Sequence, residues 1–141
     1  MIKVLLTIFL SAYLFSFDKV TASKILETVF LGIENKVIKN IKIEDEQYKD
    51  VLNLSDKFNI VSNIKSCDIL VFDKSKDLNN LNLTNKILFA TSYNAFRNRK
   101  DAIGAFYWFK GRPQIIFLDH RLKEKNISLK PYLQKYITDE L

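Results

Sequence analysis

Residues that could perform covalent or acid–base chemistry are few in this chain of 141 residues. Cys67 and His120, its one Cys and one His, could form a nucleophile–base pair only if the fold brought them together. Asp119 could not orient His120 if that stretch is extended, because adjacent residues on a strand face opposite ways. We interpret Cys67, which leads into an apolar run, as a packed thiol, with an intermolecular disulfide as the alternative, and His120 as a surface or capping residue.

Three consecutive carboxylates, Glu44, Asp45 and Glu46, could hold a cation or act on a glycosidic bond. They stand where a strand is predicted to give way to a helix, and acidic residues at a helix N-terminus gain from its dipole, so we favour that structural role. One Cys and one His exclude an ordinary zinc site and an internal disulfide, and three Gly leave no phosphate-binding loop. We expect no catalytic residue, no metal, no cofactor and no enzymatic activity.

The aromatic run in the segment AFYWFKGRP, residues 105–113, is more informative. Alternate side chains of a strand face opposite ways, so one core cannot take all four rings. If one face is solvent, two rings are exposed beside Lys110 and Arg112; if helices cover both faces, all four are buried. Aromatic and Arg side chains are favoured anchors at protein interfaces. The candidate partner-binding residues are Tyr107, Trp108, Phe109, Lys110, Arg112, Arg97 and Arg99.

The N-terminal segment is typical of an export signal. Lys3 precedes a mostly apolar run of 12 residues, Val4 to Phe15. That run is shorter than the roughly 20 residues of a membrane-spanning helix but suits a signal-peptide core. We expect a signal peptide over residues 1–16, with cleavage after Ser16 or as late as Ala22, and one periplasmic domain over 17–141. An uncleaved N-terminal anchor is the alternative.

The excess positive charge is concentrated in one segment. Residues 97–125 hold eight basic and three acidic residues, a net charge of +5, against +6 for the whole chain. Such a field can steer an acidic partner or an anionic group, although a solvated face is the simpler interpretation. Nucleic acid is not expected as a partner, because the protein is expected to be exported. The alternative ligand is an anion or small solute, held by Ser92 at a helix N-terminus together with Arg97 and Arg112.

Apolar periodicity predicts alternating helices and strands in the first half of the chain. Helices are expected over 20–33 and 46–56, after Ser92 and after Ser128, with a helical turn capped by Asp119; strands are expected over 37–43, 58–61, 68–72 and 86–90, followed by a hairpin of 102–109 and 114–118. The continuous apolar runs 68–72 and 86–90 are typical of strands covered on both faces. The pattern predicts a single-domain α/β three-layer sandwich with a mixed, mostly parallel sheet and a C-terminal hairpin plus helix.

Several motifs follow one another in a characteristic order. The chain reads CDILVF from Cys67, ILFATSY from Ile87, GRPQIIFL from Gly111 and RLKEKNISLKPYL from Arg121. Over residues 67–137, about half the chain, this order resembles the YfiR/HmsC-like family of small periplasmic proteins. The chain departs from that pattern in lacking a second cysteine and the aromatic-Pro end of the first helix.

The resemblance implies a periplasmic regulator that docks onto the extracytoplasmic part of a membrane sensor and restrains it. The sensor would be a diguanylate cyclase or a kinase, and preferential binding to its inactive state would lower its activity without any chemistry in the regulator. The resemblance does not say where the regulator contacts the sensor. We place that contact on the candidate partner-binding residues because of their residue types. A homodimer is left open.

Overall fold

The computed structural model describes residues 18–141, apart from the side chains of Ser75 and Asp77, and in this range seven strands form one sheet. The predicted signal peptide lies outside the described residues. The strands are β1 (Asn40–Ile43), β2 (Asn59–Ile60), β3 (Ile69–Phe72), β4 (Ile87–Ala90), β5 (Ala102–Phe109), β6 (Arg112–Leu118) and β7 (Ile137–Thr138). The helices are α1 (Lys19–Leu31), α2 (Glu46–Leu52), α3 (Tyr93–Asn98) and α4 (Asp119–Glu124), with 3-10 helices at Ile64–Ser66, Ser75–Leu78 and Pro131–Tyr136.

The sheet is mixed and mostly parallel, as predicted. Its strand order is β2-β1-β3-β4-β5-β6-β7, and β1 to β5 all run parallel. The strand β6 turns back antiparallel to β5, and β7 runs parallel to β6. In the described part of the chain, no helix is long and apolar enough to cross a bilayer.

Helices cover both faces of the central strands, which confirms the three-layer α/β prediction. Every residue of β3 and β4 is buried. One apolar cluster joins α1 and α2 to one face of the sheet, and a second joins α3 and the 3-10 helix Ser75–Leu78 to the other. In the first cluster, the ring of Phe30 from α1 meets that of Phe89 from β4 edge-on, with centroids 5.2 Å apart.

The largest differences in length from the prediction are in β1 and α2, which are both shorter than predicted. The strand predicted over 37–43 begins only at Asn40, where the Asp68 carboxylate accepts the backbone N–H groups of Lys39 and Asn40. The helix predicted over 46–56 ends at Leu52. Asn, Ser and Asp follow that residue, and their side chains compete with the helical hydrogen bonds of the backbone. Ser55 instead donates its hydroxyl to Glu27 of α1, 2.7 Å away.

The C-terminal segment differs from the predicted helix. Ser128 caps nothing: its backbone N–H donates to the side chain of Asn35, and a 3-10 helix begins after Lys130 without a side-chain cap. Ile137, expected on the helix, instead pairs with Phe117 in the unpredicted strand β7. The apolar residues of this segment therefore belong to a 3-10 helix, Pro131–Tyr136, and to the two-residue strand that follows it.

Asp119 is not the capping residue that the sequence predicted. The N-cap of α4 is Leu118, and Asp119 is the first helical residue, with its carboxylate 2.8 Å from the ammonium group of Lys123. The strand β6 passes directly into α4, which moves the helix start by one residue. Ser92, in contrast, caps α3 as predicted, because its hydroxyl accepts the N–H of Ala95 at 3.1 Å.

The predicted hairpin is confirmed, but its turn is shorter than the four residues, KGRP at 110–113, that the predicted strands leave between them. Only Lys110 and Gly111 connect the strands, with φ angles of 51° and 75°. Two positive φ angles are the signature of a type I′ turn, which fits the twist of paired strands and favours Gly. Pro113 already lies in β6, opposite Trp108.

Candidate functional site

The aromatic run lies where β5 extends past its parallel neighbour. Ala90, the last residue of β4, pairs with Ala105, so the four rings from Phe106 to Phe109 lie beyond the end of β4. The register shifts between Leu88 and Phe89 of β4, which leaves one extra residue in β5. Such a bulge re-aims the side chains that follow it.

Exposure of the four rings rises along the strand. Phe106 is fully buried, Tyr107 and Trp108 are partly buried, and Phe109 is 57% exposed. Neither predicted arrangement is correct, because the rings are neither exposed as a pair on one face nor all buried. Exposure of the rings therefore increases with their distance from the end of β4.

The two partly buried rings pack on opposite faces. Trp108 packs beside Phe106, with centroids 5.9 Å apart, and Phe106 in turn meets Tyr48 of α2. Tyr107 meets Tyr93 of α3 at 5.9 Å, and its burial raises its pKa above the ordinary value. The hairpin is therefore anchored to both helical layers.

Between α3 and the hairpin lies a concave space of about 540 Å³, here named the aromatic cleft. One wall is formed by Thr91, Ser92, Tyr93 and Asn94, and the other by Tyr107, Trp108 and Phe109. The residues that line it include no charged side chain. A concave, largely aromatic surface with a few polar groups is the usual form of a binding site.

Cationic residues of the hairpin tip flank the aromatic cleft. The ammonium group of Lys110 lies 5.4 Å from the centroid of the Phe109 ring. Arg112 is exposed and pairs with Phe109 across the strands. The tip thus presents an apolar ring between two positive charges.

Two other cations of segment 97–125 are held in ion pairs. The Arg99 guanidinium pairs with Asp101 at 2.6 Å, and Lys123 pairs with Asp119. Arg97 is exposed in the last turn of α3. Segment 97–125 is therefore not a uniform positive surface, although its net charge predicted one.

Arg121 is one of the eight basic residues of segment 97–125, but it is buried and only 5% exposed. Its guanidinium donates to the backbone carbonyls of Phe96, Arg97, Arg99 and Ala102, at 2.7 to 3.4 Å. It also lies 4.6 Å from the Phe96 ring, and desolvation lowers its pKa. These carbonyls belong to the end of α3 and the turn into β5, so Arg121 fixes the helix that forms one wall of the aromatic cleft.

The residues of the alternative anion site are not gathered around one point. The hydroxyl of Ser92 lines the aromatic cleft but already caps α3. Arg97 lies five residues further along, about 7.5 Å along the helix axis. Neither Arg97 nor Arg112 lines the cleft.

Cys67 and His120 do not meet. Cys67 precedes β3, whereas the exposed His120 follows β6, three strand positions and so about 14 Å away across the sheet. The Cys67 thiol is buried, donates to the carbonyl of Ile64 at 3.1 Å, and has a pKa raised by burial. Both residues thus occupy the structural positions that the sequence predicted.

The acidic cluster has the predicted structural role. Asp45 is the N-cap of α2 and accepts the N–H of Gln47, and Glu46 lies in the first turn. Asp45 also accepts the hydroxyl of Thr91 at 2.7 Å, and Glu44 pairs with Lys42 at 3.0 Å. Over residues 18–141, no group of three or more His, Cys, Asp or Glu is arranged to hold a metal ion.

No family model matches the chain, and neither a curated protein nor a solved structure shows significant similarity to it. The resemblance to the YfiR/HmsC-like family, and the function that it implies, therefore stay predictions.

Proposed function

We propose that this protein is an exported periplasmic regulator that binds the extracytoplasmic part of a membrane sensor, a diguanylate cyclase or a kinase. The observation that carries the proposal is the extension of β5 beyond β4, which exposes Phe109 between Lys110 and Arg112 beside the aromatic cleft. Rings and Arg side chains at the centre of a protein interface supply much of its affinity.

The hairpin is suited to binding because it is already ordered. Its type I′ turn and the packing of Tyr107 and Trp108 hold the tip in place before a partner arrives. Little conformational entropy is then lost on binding. A partner surface that combines apolar and acidic groups would complement the tip, and binding it in the inactive sensor would shift the sensor's population toward that state.

The second candidate function is binding of a small periplasmic solute. The volume of the aromatic cleft lies within the usual range for small-molecule sites, which favours this alternative. Because the two arginines of the anion hypothesis do not line the cleft, an uncharged or aromatic solute fits it better than a simple anion. A thermal-shift screen of aromatic and other uncharged solutes, with amino acids, phosphate and carboxylates as the comparison, tests this function, because a bound solute raises the unfolding temperature.

The decisive experiment for the regulator is co-purification with the membrane diguanylate cyclases and kinases of the source cells. We expect Phe109→Ala and Arg112→Ala each to weaken binding about tenfold or more, as for central interface residues. Leu54→Ala is the matched control for the ring, because Leu54 is 58% exposed, and Lys57→Ala is the control for the charge. Trp108 is unsuitable as a first test, because it packs against the core ring of Phe106.

Cyclic-di-GMP in the same cells gives the functional readout when the partner is a cyclase. Its level should rise with the two hairpin variants and stay at the parent level with the two controls. Undiminished co-purification of the hairpin variants would contradict the proposed surface, and no co-purification of the parent protein would contradict the proposed function.

A further inference from the structure

A second concave surface, here named the α1 groove, lies between α1, β6 and the 3-10 helix Pro131–Tyr136. Its volume is about 300 Å³. Ile25, Ile115 and Tyr136 line it and also pack against the larger apolar cluster. The groove is therefore an apolar extension of the core that reaches the surface.

Beside this groove no strand of the described chain pairs with the outer edge of β6, although the 3-10 helix Pro131–Tyr136 packs against β6. Within residues 18–141, β7 pairs with β6 only at Phe117 and Leu118. Ile115 consequently has β5 on one side and no strand on the other. An edge of this kind is a template for pairing with another chain.

The backbone of Ile115 points outward at this edge. A two-residue hairpin makes Phe109 and Arg112 a hydrogen-bonded pair, and such pairs alternate along antiparallel strands. The pair of Phe106 and Ile115, three positions further on, is thus of the non-hydrogen-bonded kind, with its N–H and C=O groups directed away from the partner strand.

The charged residues that line the α1 groove are both cations. Lys24 of α1 and Lys135 of the 3-10 helix stand at its walls. Lys135 lies 5.2 Å from the Tyr136 ring, which keeps its ammonium group at the groove. An occupant with apolar and acidic side chains would match both the floor and the walls.

We propose that the α1 groove binds an extended acidic segment of a protein partner, whose backbone pairs with Ile115 while alternate side chains enter the groove. This mode joins strand addition at a sheet edge to pockets for alternate side chains. Pro113 on one side and β7 on the other limit the pairing to a short stretch. The inference does not rest on the proposed function, because it uses neither the aromatic cleft nor the hairpin tip.

A second copy of the chain is a poorer occupant of the groove. Two β6 edges paired about a twofold axis would bring the Lys24 and Lys135 of one copy toward those of the other. Like charges placed face to face oppose association. An acidic segment meets no such repulsion.

The test is a titration of the isotope-labelled protein, followed by its amide NMR signals, with a short soluble peptide of alternating valine and aspartate. We expect shifts centred on Ile115 and on the residues around Lys24 and Lys135. A peptide of alternating valine and lysine should not produce them. The aspartate peptide methylated at every backbone nitrogen should also fail, because it cannot donate to the edge.

Charge reversal supplies the matched variants. Lys24→Glu combined with Lys135→Glu should weaken binding of the aspartate peptide about fivefold, the loss expected for two exposed ion pairs. Lys57→Glu combined with Lys76→Glu, at exposed positions outside the groove, changes the net charge equally and should leave binding unchanged.

Three outcomes would overturn the inference. The first is equal binding of the aspartate and lysine peptides, or shifts centred elsewhere, such as on the hairpin tip. The second is no shift at millimolar aspartate peptide. The third is a stable dimer in light scattering whose contacts include Ile115, which would show that a second copy occupies the edge.

Discussion

At the scale of single residues, side chains far apart in sequence set the local structure. Gly104 lies between Phe89 of β4 and Phe117 of β6, whose ring centroids are 6.2 Å apart across it. A Cβ at Gly104 would lie 2.6 Å from the Phe117 ring and 2.8 Å from the carbonyl oxygen of Ile116. The glycine thus lets the two rings meet across the sheet.

Gly104→Ala should therefore destabilise the fold. We expect the free energy of unfolding to fall by about 1–3 kcal/mol, the usual cost of overpacking a core. Urea unfolding measures the change. Combining it with Phe117→Leu should recover part of the loss, because the smaller side chain leaves room for the new methyl group. Parent-like stability of Gly104→Ala would show that the rings can move apart freely.

At the scale of elements, the β5–β6 hairpin carries both proposed binding surfaces. Its tip extends past β4 toward the aromatic cleft, and its outer edge borders the α1 groove. Pro113 has a specific role at that edge. It belongs to a non-hydrogen-bonded pair with Trp108, so an N–H at this position would point outward, where no strand of the described chain pairs with it.

Pro113→Val should lengthen the open edge by one donor. We expect self-association to increase with protein concentration, because an exposed edge with unpaired donors invites pairing with another copy. Light scattering across a concentration series measures this. Pro131→Val, at the first residue of a 3-10 helix, is the matched control and should behave as the parent protein does. If both variants behave alike, Pro113 has no protective role.

At the scale of the whole molecule, burial of ionisable groups couples stability to pH. Burial raises the pKa of Tyr48 well above its ordinary value of 10.0, with the carboxylates of Asp45 and Asp73 adding to the shift. Burial likewise raises the pKa of Cys67 above 9.0. The folded state therefore keeps protons that the unfolded chain releases in alkali.

The free energy of unfolding should be steady near neutral pH and fall as the pH rises above about 9. The sign follows from the raised pKa values: the stabilisation is complete below the unfolded pKa and is lost as the pH approaches the folded one. Tyr48→Phe should make the alkaline decline shallower in urea titrations across pH. Tyr132→Phe, at an exposed ring, is the control. An unchanged decline in Tyr48→Phe would contradict this assignment.

Much of the fold could be predicted because it depends on neighbours in sequence. The apolar runs of β3 and β4, the capping hydroxyl of Ser92 and the turn residue Gly111 each act within a few positions, and the structure has each as predicted. The candidate site could be predicted only as residue types. The aromatic run and its neighbouring cations were identified, but the exposure of each ring was not.

The amino-acid sequence alone determined the fold class and the buried strands, because apolar periodicity and local hydrogen bonding depend only on residues that are close together in the sequence. Tertiary structure alone decided which charges and rings reach the surface. Arg121 is buried because its guanidinium donates hydrogen bonds to backbone carbonyls of a distant segment, such as that of Phe96. Ile137 forms a strand because it pairs with Phe117 at the edge of β6. Phe109 is exposed because β4 ends first. Each of these outcomes depends on contacts between distant segments, which no local pattern encodes.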